Sequence, residues 1–418
     1  MPSILAWVDH DPEAADRSQR IISLFREKET LDEMGIGPIR DAFSDTFFPG
    51  SSTIHTRLRY VFIIPWIYQH LEAQGVTSRD FARRAEEMER DLIPTLKRCC
   101  PPDEPGILGG TAGRSLKILP SSIYWNALQI WGIRNYEGSR YQYAQDIDNI
   151  YRRRELLQRS SAEELQHMGP SYTWHPKLPD PPEGFPEELD LSMTREESMF
   201  IQDCLKTRHG DSLLAFLALY TEACETTTFP WQHPQLAEFK RQHRELLEHA
   251  RLFSLVINGS SLLYNFMLSE ILAEGTAPSD QSSDTFAGQL LEEHSENLAH
   301  WKDQIASELT TLRDWRANLS RFWELVSDRG YRITRPTVDF VEGWIDLTID
   351  LHGNLTDSGK AQRLVRSRER RKKGRRSRFI NRRAREQWGG HSSVFRLGFR
   401  WADTQVLLKD LFDGLENG

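Results

Sequence analysis

The residues whose types and spacing could do chemistry are concentrated in one basic tract between residues 360 and 385. Within these 26 residues, fourteen cations stand against a single acid, Glu369, so the tract carries a formal charge of +13. Arginine outnumbers lysine, and its planar guanidinium matches the geometry of a phosphate group. Because cations that neutralise phosphates release condensed counterions, such a tract is typical of polyanion binding. The cations are Lys360, Arg363, Arg366, Arg368, Arg370, Arg371, Lys372, Lys373, Arg375, Arg376, Arg378, Arg382, Arg383 and Arg385.

Nucleic acid is the polyanion that the tract predicts, through phosphate contacts that do not read base sequence. Two other interpretations stay open: the tract pairs with the rest of the chain, which carries −21, or it binds an acidic partner protein. Two aromatic residues, Phe379 within the tract and Trp388 just after it, either stack on unpaired bases or anchor the next element in the core. The candidate nucleic-acid-binding residues are Arg370, Arg371, Lys372, Lys373, Arg375, Arg376, Arg378, Arg382, Arg383 and Arg385.

A second chemical pattern is a row of carboxylates at Asp339, Glu342, Asp346 and Asp350. Steps of three and four residues place them on one face of a helix, where nuclease carboxylates could hold a divalent metal. The same spacing also produces an acidic solvent face or a partner for the basic tract. A cryptic metal-dependent nuclease is therefore an alternative hypothesis.

The motifs of common enzyme classes do not occur in the sequence. There is no GxSxG, HExxH or GxGxxG pattern, and GGTAGRS at 109–115 lacks the spacing and the lysine of a phosphate-binding loop. The four cysteines have no metal-ligand spacing. The sequence therefore predicts no catalytic residue, no metal and no cofactor.

A smaller charged group contains Arg40, Asp41, Arg57 and Arg59. Two interpretations fit it. Asp41 pairs with an arginine in a buried structural contact, or the arginines contact phosphate. Burial of the group would favour the structural interpretation.

The elements that position these residues are predicted to be helices, because helical periodicity is common and strand patterns are sparse. We expect a mainly α, multi-helical fold of two modules joined by a proline-rich crossing. The N-terminal helical module covers 1–168, the crossing 169–190, and the helical core module 191–358, with a long helix near 287–328. The basic segment and a closing helix fill 359–418.

The stretch Leu252–Leu272 is apolar nearly all round but is interrupted by polar residues such as Asn258, Ser261 and Asn265. These polar residues predict a central core helix rather than a membrane span. The first residues have neither a basic region nor a long apolar core, so we expect no signal peptide. The sparse cysteines fit a reducing compartment, so we expect a cytoplasmic protein.

Four blocks of the sequence carry a family resemblance. Together they resemble a bacterial family of unknown function whose members look like components of antiviral defence loci, near helicase and phospholipase-D-like genes. The family has no agreed catalytic residues, so the resemblance implies a defence role and a mostly helical fold but supplies no mechanism. The blocks are LFREKETLDEMGIGPIRDAFSDTFFPGSSTIHTRLRYVFIIPWIYQ (Leu24–Gln69), GRSLKILPSSIYWNALQIWGIR (Gly113–Arg134), ARLFSLVINGSSLLYNFMLSE (Ala250–Glu270) and NRRAREQWGGHSSVFRLGFRW (Asn381–Trp401).

The tract and the resemblance together lead to one functional hypothesis. We expect a non-enzymatic nucleic-acid-binding subunit of a bacterial antiphage defence complex. Its partners would be a nucleic acid, expected to be DNA, and a helicase or a phospholipase-D-like nuclease on which the helical body docks. No membrane contact is expected. The alternatives are an adaptor or scaffold whose tract binds an acidic protein, and the cryptic nuclease.

Overall fold

The fold is built from α-helices. A computed structural model describes residues 32–159, 173–274, 281–328 and 330–417. Over these ranges there are fourteen α-helices and no β-strand, only an isolated bridge between Arg134 and Trp174. The prediction of a mainly α, multi-helical fold is confirmed.

The helices follow one another with short 3₁₀ turns and irregular loops between them. They are α1 (Gly37–Phe47), α2 (Tyr60–Ala73), α3 (Phe81–Cys99), α4 (Pro120–Ile130), α5 (Arg140–Arg159), α6 (Arg195–His209), α7 (Leu213–Tyr220), α8 (Arg241–Glu274), α9 (Gln281–Ala317), α10 (Leu319–Ser327), α11 (Arg335–Asp350), α12 (Gly359–Lys373), α13 (Arg382–Glu386) and α14 (Trp401–Glu416).

The chain divides into two compact units that are drawn from interleaved segments. Unit 1 contains the described residues of 45–228 together with 400–417. Unit 2 contains 32–44 and the described residues of 229–399. This division differs from the predicted modules, because the proline-rich stretch falls inside unit 1 and the closing helix α14 belongs to unit 1 as well.

The described part of the proline-rich stretch, 173–190, packs along helix α2 of unit 1. The indole Nε1 of Trp66 donates a hydrogen bond of 2.8 Å to the carbonyl of Pro179. The ring of Phe185 lies edge-on against the same indole, with centroids 5.9 Å apart. Prolines cannot donate backbone hydrogen bonds, so the segment is irregular and its carbonyls accept from side chains instead.

The core of unit 1 is an aromatic cluster that α2 presents to its neighbours. Tyr68 contacts the rings of Phe81, Trp125, Tyr143 and Trp174, with centroid separations between 5.2 and 5.7 Å. These rings are edge-on or tilted, the arrangements that aromatic quadrupoles favour. The cluster ties α2, α3, α4, α5 and the proline-rich stretch to one core.

The centre of unit 2 is the 34-residue helix α8. Two tryptophans from neighbouring helices donate to backbone carbonyls of α8: Trp301 to Leu255 at 2.7 Å and Trp344 to Val256 at 2.8 Å. Among the described helices, α8 is the one long and apolar enough to cross a membrane, but 94% of its most apolar window is buried inside the protein. Such burial is what a central core helix requires.

The predicted long helix near 287–328 corresponds to two consecutive helices. Helix α9 ends at Ala317 and α10 begins at Leu319, with Asn318 between them. Phe322 of α10 is fully buried and packs on Trp315 with centroids 5.5 Å apart. The apolar spacing therefore continues across the break, which is why the sequence pattern reads as one helix.

The first testable prediction concerns the close approach of α8 and α9. A Cβ atom on Gly259 would lie 2.2 Å from the indole of Trp301, which is buried and held by its bond to Leu255. Gly259→Ala is expected to destabilise the protein by about 1–2 kcal/mol, because the clash outweighs the gain in helix propensity. The free energy of unfolding from urea denaturation measures this loss.

Gly343 provides the control, since it lies in a helix of the same unit with ordinary space around it. A Cβ atom there would meet only the side chain of Leu364, at 3.8 Å. Gly343→Ala is expected to stabilise by about 0.5–1 kcal/mol through reduced backbone entropy of the unfolded chain. Equal effects of the two substitutions would contradict the close approach.

Candidate nucleic-acid interface

The basic tract folds as a helix, a turn and a short helix of unit 2. The Ser358 hydroxyl caps α12 by accepting from the backbone N–H of Ala361 at 3.3 Å. Gly374 ends α12 with φ of +53°, a value that favours glycine. The Asn381 side chain caps α13 by accepting from Ala384 N–H at 3.1 Å. The many cations therefore lie on a backbone whose ends are fixed by ordinary capping contacts.

Arg368 is buried, and its side chain makes hydrogen bonds inside the protein instead of facing solvent. Its guanidinium donates to the backbone carbonyls of Met34, Gly35 and Pro336, at 2.7, 3.2 and 2.9 Å. It also donates to the Thr337 hydroxyl at 2.8 Å. One side chain of α12 thus fixes both the segment before α1 and the start of α11.

Two of the predicted binding residues, Lys373 and Arg378, hold the buried carboxylate of Glu33. Arg378 donates to Glu33 Oε1 at 2.7 Å, and the Lys373 ammonium contacts Oε2. Burial raises the pKa of Glu33 and lowers the pKa of Lys373, although their mutual attraction opposes both shifts. These two cations are thereby committed to a contact inside the protein.

The turn between α12 and α13 is held by a further set of bonds around Arg378. Its guanidinium also contacts the Tyr264 hydroxyl at 3.2 Å and the Ser392 hydroxyl at 3.0 Å. Its backbone N–H donates to the fully buried Glu369 at 2.8 Å. Arg385, a third predicted binding residue, donates to the Arg378 carbonyl at 2.8 Å. We call Arg368, Lys373, Arg378 and Arg385 the inner set.

The other seven predicted binding residues have exposed side chains, and we call them the outer set. Among the described residues, Lys372 has an acid within 3.9 Å, Asp32, and Arg382 pairs with Glu386 at 2.8 Å. No carboxylate of the described residues pairs with the remaining five. The outer set is Arg370, Arg371, Lys372, Arg375, Arg376, Arg382 and Arg383.

The two aromatic residues of this region, Phe379 and Trp388, pack against other side chains of unit 2. Phe379 packs edge-on against Tyr264, with centroids 5.4 Å apart, and lies beneath the guanidinium of Arg366 at 5.3 Å. Trp388 is buried and stacks on His294 at 6.2 Å. Of the two interpretations of these rings, the structural one fits their contacts.

The row of carboxylates on α11 contacts arginines. Asp346 accepts from Arg316 at 2.6 Å, Glu342 lies 3.6 Å from the same guanidinium, and Asp339 pairs with Arg335 at 2.8 Å. No group of three or more metal-binding side chains occurs within the residues that the structure describes. These ion pairs account for three of the four carboxylates in the row, and no described cluster supports the nuclease hypothesis.

The arginines of the smaller charged group split between the two units. In unit 1, Arg57 binds Asp410 at 2.9 Å, and the buried Arg59 binds the buried Glu197 at 2.9 Å. Both arginines lie in the irregular segment just before α2, and each is paired with a carboxylate of another helix, Asp410 of α14 or Glu197 of α6. The structural interpretation therefore fits them.

In unit 2, Arg40 and Asp41 pair with each other on the surface at 3.0 Å. Both side chains remain partly exposed, so the buried pair that Asp41 could have formed is not what the structure shows. An exposed pair of neighbours in a helix contributes little to stability.

The division of the tract into inner and outer sets is what sequence reasoning missed. A signal for it exists in the spacing of α12, where Ala361 and Val365 are buried at a four-residue step. Continuing that face by three or four residues reaches Arg368 and Glu369, the buried charges of the tract. This buried face is difficult to recognise in the sequence because two of its four residues are charged, like most of the residues around them.

Comparison with known proteins places the chain in a family. The model of a family of unknown function, DUF6361, matches residues 2–414. The chain belongs to this family. No curated protein and no solved structure matches the chain. The match shows a family of unknown function over nearly the whole sequence, so what the protein does must be argued from its own residues.

Proposed function

We propose that this member of DUF6361 binds nucleic acid without cleaving it, through phosphate contacts made by the outer set. One observation carries the proposal: seven exposed cations lie together on a capped backbone, and five of them have no carboxylate partner among the described residues. Neighbouring like charges repel, and a polyanion relieves that repulsion while releasing counterions.

The inner set supports the proposal by separating structural cations from available ones. Because Arg368, Lys373 and Arg378 are held by carbonyls and by Glu33, the exposed arginines do not need to fold the segment. A surface of fixed geometry loses less side-chain and backbone entropy on binding than a disordered tail. Binding should be independent of base sequence and sensitive to salt.

We propose in addition that the protein serves in the cytoplasm as a subunit of an antiphage defence complex, with a helicase or a phospholipase-D-like nuclease as its partner. The support is the resemblance of its four sequence blocks to a family of such loci. DNA is the proposed nucleic acid. The alternative of an acidic protein partner uses the same outer set, so the test below includes it.

The second testable prediction is the loss of DNA binding when the unpaired outer arginines are neutralised. Converting Arg370, Arg371, Arg375, Arg376 and Arg383 to glutamine should weaken binding to a fluorescent duplex on the order of 100-fold at low salt. The slope of log affinity against log salt should fall by about 4.5, because each of the five lost phosphate contacts contributes about 0.9. Fluorescence anisotropy across a salt series measures both quantities.

A charge-matched control variant converts five exposed arginines elsewhere, Arg152, Arg153, Arg241, Arg244 and Arg332, to glutamine. Both variants lower the formal net charge of −8 by five. The control should bind nearly as tightly as the wild type. An equal loss of DNA affinity in both variants would mean that net charge, and not the outer set, determines binding. If the wild type did not bind DNA at low salt, the acidic protein partner would be favoured.

A further inference from the structure

One aromatic side chain of unit 2 is almost fully exposed beside the basic tract. Phe395 has 86% of its surface exposed, the largest fraction among the large hydrophobic residues that the structure describes. No described aromatic ring or cation packs on its ring. A phenylalanine with this exposure contributes little to the core, so its ring is available to a ligand.

The backbone on both sides of Phe395 is held rigidly by polar side chains of α8. Asn258 donates to the Val394 carbonyl at 2.9 Å, and Ser254 donates to the Leu397 carbonyl at 3.0 Å. The guanidinium of Arg396 lies over the ring of Phe229 at 5.0 Å. The polar residues of the core helix therefore serve to fix the loop that presents Phe395.

The same loop touches the basic tract directly. Ser392, three residues before Phe395, accepts from Arg378 at 3.0 Å. Phe395 and Asp32 line one small cleft of about 50 Å³, and Asp32 lies 3.9 Å from Lys372 of the outer set. The exposed ring therefore lies on the same cleft as an acid that the outer-set residue Lys372 faces.

The acids in this neighbourhood do not make the surface negative. Asp32 accepts from the backbone N–H groups of Ile36 and Gly37, at 2.6 and 2.9 Å, besides facing Lys372. Glu33 is held by two cations of the inner set. The tract cations shown around the cleft that Phe395 lines are the exposed Lys372, which faces Asp32, and Lys373 and Arg378, which hold Glu33.

We infer that Phe395 is a stacking platform for an unpaired base, so that the protein binds single-stranded nucleic acid in preference to duplex. The inference rests on the proposed function, in which the outer set holds the phosphates. In a duplex the faces of the bases are covered by their neighbours, whereas a single strand can place a base on an exposed ring. Stacking of this kind contributes about 1–3 kcal/mol per base and tolerates any base sequence.

The third testable prediction separates stacking from phosphate binding. Phe395→Ala should weaken binding to a fluorescent oligothymidine about 5- to 150-fold, the ratio that 1–3 kcal/mol of stacking corresponds to. Its affinity for a duplex should stay within about twofold, and its salt slope should match the wild type, because no phosphate contact is lost. Phe395→Tyr should bind like the wild type.

Phe395→Leu controls for apolar surface without an aromatic face and should bind as weakly as the alanine variant. An unchanged affinity of Phe395→Ala for the single strand, full binding by the leucine variant, or an equal loss for duplex would each overturn the inference. So would anionic vesicles that bind the wild type but not Phe395→Ala. A wild type that binds neither form of DNA overturns the proposed function itself.

Discussion

Replacing Arg368 by methionine is expected to cost about 3–6 kcal/mol of folding free energy, because two buried backbone carbonyls and a third, part-buried one lose their donor at once. Those carbonyls belong to Met34, Gly35 and Pro336. Methionine keeps the apolar stem of the side chain, so the loss reports the guanidinium contacts. Urea denaturation followed by circular dichroism gives the free energy of unfolding.

Arg370→Met is the matched control, since it lies on the same helix and removes the same charge from an exposed position. We expect its stability to stay within about 0.5 kcal/mol of the wild type, while its affinity for DNA falls slightly. Arg368→Met is thus expected to lower the free energy of unfolding, whereas Arg370→Met is expected to lower the affinity for DNA. If Arg368→Met were as stable as the control, the inner set would have no structural role.

The contrast between Arg368 and Arg370 also shows how far a sequence can predict a site. The fourteen cations of the tract are evident from composition, and the helical fold follows from apolar periodicity. Which cations are buried is decided by partners far away in the chain, such as Glu33, which lies about 340 residues before Lys373 and Arg378. No local pattern encodes a pairing of that separation.

The division into units was beyond prediction for the same reason. Composition suggested a boundary at the proline-rich stretch, but Trp66 and Arg59 bind backbone carbonyls of that stretch and so attach it to α2. The closing helix joins unit 1 because Asp410 binds Arg57. Both contacts join residues that are distant in sequence, whereas proline content is a local property.

The inner and outer sets also explain how so basic a segment can be folded at all. A helix carrying only repelling cations would be unstable in isolation. Here Glu369 is fully buried and its carboxylate accepts a hydrogen bond from the Arg378 backbone N–H. Glu33, which lies outside the tract, pairs with two of the tract's cations, Lys373 and Arg378. The buried acids compensate part of the charge internally, and the exposed part remains available for phosphate.

A different buried carboxyl, Glu89 in unit 1, leads to a prediction about pH. Its carboxylate accepts from the backbone N–H and the hydroxyl of Ser121, at 2.8 and 2.6 Å. Burial raises the pKa of Glu89 to about 7, although these bonds and the charge of Arg140 lower it in part. The folded protein therefore binds this proton more tightly than the unfolded chain does.

The sign of the pH effect follows from that difference. A carboxyl whose pKa is raised by folding stabilises the folded state at low pH, and the stabilisation is lost as the pH rises from about 4.5 to 7. His55 acts in the opposite direction, because burial lowers its pKa to about 4 and its contribution disappears as the pH falls below 6.5. The wild-type profile mixes both effects.

Glu89→Gln isolates the carboxyl, since a glutamine amide can accept from the Ser121 N–H and donate to its hydroxyl oxygen. Between pH 5 and pH 8, the wild type should lose about 2.5 kcal/mol relative to this variant. The measurement is the free energy of unfolding in urea at both pH values. Glu183→Gln, which changes an exposed carboxyl, should track the wild type.

The decisive quantity is the change in unfolding free energy between pH 5 and pH 8 in the wild type minus the same change in Glu89→Gln. The contributions of His55 and of the other titrating groups are common to both chains and cancel in this difference. A value near zero would mean that Glu89 is ionised in the folded protein and fully stabilised by Ser121 and Arg140. A value of the opposite sign would mean that those partners outweigh burial and depress the pKa. Only a loss of stability with rising pH, confined to chains that retain Glu89, fits a neutral carboxyl buried between α3 and α4.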